Sequence, residues 1–322
     1  MARNGCFSAP ITVAAKRHRT NRHWSRTVFL CAPKISVLNA LGEAVPHVQD
    51  GPQLPLSLGK AGGHTILTTA ATYRDLPRQI EMSKLVQTGG TAKTTSTAAI
   101  GVLLSRRGYR VHLIDADPQA SLSQAFGVSD SEDRFACSLV DGEELPVDML
   151  DKNLSLTPGS VALATCEAQL LTTHGREYFL RTCLEKTQLP EDTIVLVDSP
   201  PSLGVLALNC LAAAGGLIVA VQPGGFEIRA LAYLETTVHV IQKQVNPDLT
   251  VLGILLTNCH RRRRITRQAG EEVAQLHGVL GSIRADARML YATTAGRILH
   301  LRRSNALDDY ADVVDQLEEQ LR

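Results

Sequence analysis

The sequence predicts an α/β fold, a mostly parallel central sheet covered by helices on both faces, and three observations predict it. From Met82 onward short apolar runs alternate with segments of helical period. A glycine-bearing turn, Thr88 to Thr95, joins one such run to a helix, and two other runs end in aspartate. Strict alternation belongs to parallel sheets, because each parallel connection needs a crossover that a helix supplies. Acid at the carboxyl end of a strand faces the crevice where such sheets bind ligands.

Taken in order, Lys84–Val86 is the first strand candidate, short enough that residues before Met82 are candidates to contribute to it. A helix follows over Thr94–Arg107, with Gly108 as its C-terminal stop signal. Arg110–Asp115, Leu154–Thr157 and Thr193–Asp198 read as strands, being short, apolar and bounded by turn residues. Leu203–Ala214 then reads as a helix, Leu217–Val221 as a strand, Ile228–Gln244 as a helix and Val251–Thr257 as a strand. Thr266–His277, Gly281–Arg284 and Asn305–Gln320 complete the order as helix, strand and helix. No internal repeat or low-complexity tract interrupts it.

The chain divides into residues 1–81 and 82–322. The first part shows no sustained period, and Pro10, Pro33, Pro46, Pro52 and Pro55 break its candidate elements, so little stable structure is expected. Lys16 to Arg26 is densely basic, and Glu43 is the first acidic residue. Three origins fit this extension: a basic arm that touches DNA, an Arg-rich targeting peptide, or sequence upstream of a true start at Met82. Met82-Ser-Lys suits a beginning, which favours the third. No clean pair of amphipathic helices marks a helix-turn-helix.

The 322 residues, 44% hydrophobic, suffice for a large core, and the net charge of +1 by itself selects no partner. Apolar runs such as Gly215 to Val221 have strand length, so no membrane-spanning role is expected. The seven cysteines are scattered, without CxxC or zinc spacing, which excludes a clustered iron–sulfur or zinc site and suits a reducing cytoplasm. His239 and His277 have no partners at metal spacing, and Ser199 and Ser202 lie outside any G-x-S-x-G.

Thr88-Gly89-Gly90-Thr91-Ala92-Lys93-Thr94-Thr95 carries the chemistry. Glycines let successive backbone N–H groups turn inward around phosphate, and the helix N-terminus adds its positive dipole end. Lys93 reaches terminal phosphate oxygens, and the Thr94 hydroxyl suits magnesium. The segment thus reads as a P-loop for ATP and Mg2+, with Gly89, Gly90, Thr91, Ala92, Lys93, Thr94 and Thr95 as nucleotide contacts. Gln87 and Ala92 replace the two glycines of the strict G-x-x-x-x-G-K-[ST] pattern, and the Ala92 methyl is expected to require a negative φ. Asp115 and Asp117 follow one apolar strand and Asp198 another, where a phosphate-bound magnesium would sit.

The order G-G-x-x-K-T-T, D-x-D-P-Q, then D-S-P-P-S-L-G with Asn209 downstream resembles the ParA family of DNA-partitioning ATPases, and the likeness spans nearly all of residues 82–322. It continues through Asn153–Pro158, Val219–Phe226 and Asn246–Asn258. The resemblance implies ATP sandwiched in a homodimer, which binds double-stranded DNA without sequence preference until a ParB-like partner stimulates hydrolysis. It implies that Lys93 and Thr94 hold phosphate and magnesium, that Asp117 positions the attacking water, that Asp198 and Asp115 serve the metal, and that Asn258 contacts nucleotide. A cytoplasmic, nucleoid-associated protein is expected. The family's signature lysine, which reaches the other subunit's phosphate, is Thr88 here, so slow hydrolysis is expected.

His260 precedes Arg261-Arg262-Arg263-Arg264, and with Arg267 and Arg288 these arginines are candidate DNA contacts, with Arg284, Arg297, Arg302 and Arg303 extending a basic face. Arginine pairs with backbone phosphate without reading bases. Three other functions share the pattern: a nucleotide-dependent DNA-binding regulator with little catalysis, a MinD-like division-site ATPase and a metabolic amidating enzyme. The mainly acidic Asp308–Arg322 tail disfavours membrane seating, and no glutaminase-like cysteine motif is present.

Overall fold

The computed structural model describes residues 27–31, 65–68, 92–202, 204–223, 227–260 and 278–321. At its centre are β3 (Val111–Asp115) and β6 (Ile194–Asp198), paired in parallel and buried along their whole length. Val-His-Leu-Ile-Asp and Ile-Val-Leu-Val-Asp are near-continuous apolar runs because both faces of a parallel sheet are covered. Successive side chains divide between those faces. Ile194 and Leu196 join one core, and Val195 and Val197 join the other. Truncating Leu196 to alanine would cost about 2–5 kcal/mol by cavity formation.

On the β3 side the sheet continues through β5 (Leu154–Thr157) to β4 (Asp148–Asp151), an antiparallel edge strand. On the other side stand β7 (Gly216–Val221), β8 (Thr250–Cys259) and β9 (Val279–Arg284), all parallel. Between β6 and β7 the sheet has one strand position, and two segments ahead of Met82 fall in register with it, which one strand at a time can fill. β1 (Thr27–Cys31) and β2 (Thr65–Thr68) each register in parallel with both neighbours, Thr27 and Ile66 alike opposite Val195. The Lys84–Val86 strand and the Thr266–His277 helix expected from sequence lie outside the described residues.

The core of Ile194 and Leu196 is covered by α1 (Lys93–Arg106), α2 (Ser121–Ala125), α8 (Ala287–Thr294) and α9 (Asn305–Leu321). The opposite core is covered by α3 (Arg134–Asp141), α4 (Ala162–Leu170), α5 (Phe179–Lys186), α6 (Val205–Ala213) and α7 (Glu227–Gln244). α1 stops as its sequence predicts: Gly108 takes φ 97, and the Tyr109 N–H returns to the Leu104 carbonyl at 3.2 Å. In α9, Tyr310, Val313, Val314 and Leu317 are fully buried at helical spacing, and Arg107, which caps the C-terminus of α1, pairs with Asp315 and Glu318 on its outer side. Its apolar stripe is therefore occupied within the domain.

Candidate nucleotide site

β3 and β6 end level, with Asp115 opposite Asp198 in the register. The Ala116 N–H donates to the Asp198 carbonyl at 2.8 Å, so pairing holds the two acids side by side, each fully buried. The N-terminus of α1 meets the end of β6. Lys93 Nζ donates to the Ser199 carbonyl at 3.1 Å, and Thr94 Oγ1 donates to Asp198 Oδ2 at 2.6 Å. Three residues expected at the site, Lys93, Thr94 and Asp198, are thus brought together, and Thr95 is half-buried beside them.

Asp115 is held by Ser123, whose N–H and hydroxyl both donate to Oδ2, at 2.7 and 2.6 Å. Oδ1 is buried and has no partner. Burial, then the charges of Asp198 and Asp117, push the Asp115 carboxyl up to about 8. Asp117 is fixed by a turn of its own, Oδ1 accepting the Gln119 N–H at 2.9 Å and its carbonyl accepting the Ala120 N–H at 2.8 Å. Behind the acids runs Gly159, where a Cβ would lie 2.5 Å from the Asp115 carbonyl oxygen and 3.0 Å from its carboxyl carbon. Only glycine fits that approach.

Ser123 and Gly159 were not identified from sequence. The Gly159 N–H donates to Ser123 Oγ at 2.9 Å, so the two form one support behind Asp115. The small residue after the Leu154–Thr157 strand was the available signal for Gly159; Ser123 carried none, since its partners are remote in sequence.

Ala92 departs from expectation. It begins α1 at φ 54 and ψ 25, in the left-handed region, rather than at negative φ. The chain enters the helix through a turn that orients the Ala92 carbonyl back along α1, where it accepts the Ser96 N–H at 2.8 Å and the Ser96 hydroxyl at 2.7 Å. Thr88, Gly89, Gly90 and Thr91 lie outside the described residues. Asn258 sits near the end of β8 at φ 52, a conformation asparagine tolerates, with β7 and the β1 and β2 position between it and β6.

Magnesium fits the donors present. They are hydroxyl and carboxylate oxygens, and one buried carboxylate oxygen lacks a partner. Among the described residues no three histidine, cysteine or acidic side chains converge as a closed cage. Magnesium uses few protein ligands and completes its shell with water and phosphate.

The basic face is only partly as expected. Arg261, Arg262, Arg263, Arg264 and Arg267 lie outside the described residues. Arg288 is exposed in the first turn of α8, which Asp286 caps through the Arg288 and Met289 N–H groups. Arg284 is not available to a partner: its guanidinium and backbone N–H close on Asp309 at 2.6 to 2.9 Å. Arg297, Arg302 and Arg303 are exposed.

Residues 79–251 match a family model described as an AAA domain. The sporulation initiation inhibitor protein Soj of Bacillus subtilis is 32% identical over 242 residues, covering 72% of this chain and 95% of Soj. The chromosome partitioning protein ParA of Caulobacter vibrioides is 35% identical over 193 residues, 58% of this chain and 72% of that protein. Among solved structures, a cobyrinic acid a,c-diamide synthase from Mycobacterium smegmatis with bound ADP and magnesium is 31% identical at a TM-score of 0.62, covering 74% of this chain and 93% of that one. A plasmid partition protein from Borrelia burgdorferi shares the fold at 20% identity and a TM-score of 0.59, covering 72% and 95%.

Proposed function

Because this chain belongs to the ParA family of DNA-partitioning ATPases, we propose that it is an ATP-driven switch for segregating a plasmid or chromosome. The ATP-bound homodimer binds double-stranded DNA without sequence preference, and hydrolysis, stimulated by a ParB-like partner, releases it. One observation carries the nucleotide reading: Lys93 and Thr94, at the start of α1, converge on Ser199 and Asp198 at the end of β6.

Residues 82–322 form the ATPase domain in this reading, and residues 1–81 an extension. ATP is the substrate and Mg2+ the cofactor. Magnesium supplies charge neutralisation on the transferring phosphoryl group. Thr94 and Asp198 would hold it, with Asp115 beside them. Lys93 gives up the Ser199 carbonyl for phosphate oxygen. Asp117, braced by its turn, orients the attacking water. Gly89, Gly90, Thr91, Ala92 and Thr95 line the phosphate cradle, and Asn258 contributes from β8. Threonine at position 88 provides no cation to the partner subunit's phosphate, so turnover is slow.

DNA contact is assigned to Arg261–Arg264, Arg267 and Arg288, and it places the protein on the nucleoid. No helix among the described residues is long and apolar enough to cross a membrane. The buried apolar stripe of α9 also removes that helix as a MinD-like membrane foot. The Mycobacterium smegmatis structure brings an amidating enzyme into view as a second reading. Burial counters it at three cysteines, pushing the thiols of Cys166 and Cys259 up to about 11 and that of Cys183 up to about 12, too high for a nucleophile at neutral pH.

The test is fluorescence anisotropy of labelled nonspecific duplex DNA titrated with the full chain, magnesium and either ATP or ADP, at two salt concentrations. Salt-sensitive binding with ATP and not ADP is expected. Binding indifferent to nucleotide would replace the switch with a DNA-binding regulator, and no binding in either state would favour the amidating reading.

A further inference from the structure

We infer that Tyr310, on α9, is a positioning residue for the nucleotide loop, acting through Ser96 on Ala92. The inference rests on the nucleotide reading of that loop. Tyr310 is fully buried, and its hydroxyl lies 2.7 Å from Ser96 Oγ. Ser96 Oγ in turn lies 2.7 Å from the Ala92 carbonyl, which can only accept. A serine hydroxyl has one proton, and it is committed to Ala92; the phenol proton therefore goes to Ser96. The result is a directed relay from α9 through α1 to the residue that opens the helix. Burial raises the phenol pKa, so the donor stays protonated across the working pH range.

Ala92 is the residue in this region most in need of a clamp. It holds φ 54, where a methyl group is strained and glycine is not. Its carbonyl belongs to the Ala92–Lys93 peptide, which is planar and trans, so holding the oxygen toward Ser96 aims the Lys93 N–H the opposite way. That direction is off the N-terminal end of α1, where phosphate meets a helix. The phenol hydroxyl meets Ser96, which is neither a candidate phosphate contact nor a candidate metal ligand. It acts by keeping one peptide plane in place, while the rest of α9 is anchored by Val313, Val314 and Leu317 and by Arg107.

The experiment is a cycle of four full-length proteins: wild type, Tyr310→Phe, Ala92→Gly and the double variant. Each is titrated with Mg-ATP by isothermal calorimetry and followed by amide hydrogen exchange over residues 92–96. In the wild-type background, Tyr310→Phe should weaken Mg-ATP binding roughly fivefold, the loss of one net hydrogen bond, and speed exchange at 92–96. In the Ala92→Gly background, where position 92 carries no left-handed strain, the same substitution should change affinity less than about twofold. An equal loss in both backgrounds would make Tyr310 a packing residue only and overturn the inference. Unchanged exchange at 92–96 in Tyr310→Phe would overturn it as well, whatever nucleotide does. If wild type binds no Mg-ATP while exchange at 92–96 still responds to Tyr310→Phe, the nucleotide reading fails and the clamp stands.

Discussion

Ala92 enters α1 with its Cβ crowding the next carbonyl, a conformation that costs an L-residue about 1–2 kcal/mol. Ala92→Gly should therefore stabilise the fold by up to about 1 kcal/mol, part of the relief being offset by glycine's freedom in the unfolded chain. Urea unfolding with an unchanged m-value would show it. Asp115 gives a second test, with its sign fixed by linkage. The folded carboxyl titrates at about 8 against an ordinary 3.8, so between those values the folded state keeps a proton that the unfolded state has lost. Stability then falls as pH rises through that window and levels above it. Asp115→Asn should flatten the slope, which unfolding midpoints measured from pH 4 to 9 would reveal; an undiminished slope would remove Asp115 as its source. That Lys93, Thr94, Asp115 and Asp198 would lie together was readable because each belongs to a local motif at the end of a strand or the start of a helix. Ser123 was not, because its role is created by the turn that brings α2 back under β3.

Elements were legible where one period ran long enough. α1, α7 and α9 show helical spacing over many turns, and β3, β6 and β7 are uninterrupted apolar runs. α2, α3 and α5, of 5, 8 and 8 residues, are too short to display a period, and β4 is an edge strand whose exposed Met149 and Asp151 blur its alternation. Charge was the least legible property. Arg107, Arg134 and Arg284 look in sequence like free arginines, yet each closes on acids of another element. Arg284→Ala should lower the thermal midpoint, because it frees Asp309 at the joint between β9 and α9. Arg288→Glu should leave the midpoint in place and weaken DNA binding at low salt. A reversal of those two outcomes would assign the structural and DNA-facing roles the other way round.

At the scale of the whole molecule, the parallel three-layer architecture followed from sequence, and the position between β6 and β7 is in register with two segments, β1 and β2, of which one at a time can fill it. Neither Thr27–Cys31 nor Thr65–Thr68 carries a sustained pattern among its proline-rich surroundings; partners more than a hundred residues away define them as strands. A chain beginning at Met82 loses both. It should unfold at lower temperature than the full chain, by differential scanning calorimetry, and equal midpoints would assign the central position to residues after Met82. The same long-range character sets an order of events during synthesis. Ser96 and Tyr310 are 214 residues apart, which at usual elongation rates is roughly 10–40 s of translation. During that interval the emerging chain carries the phosphate-binding motif and Ser96, but not the phenol that completes the relay. The proposed clamp on Ala92 is therefore set only after α9 has emerged, and a chain still lacking α9 should bind Mg-ATP more weakly than the full chain.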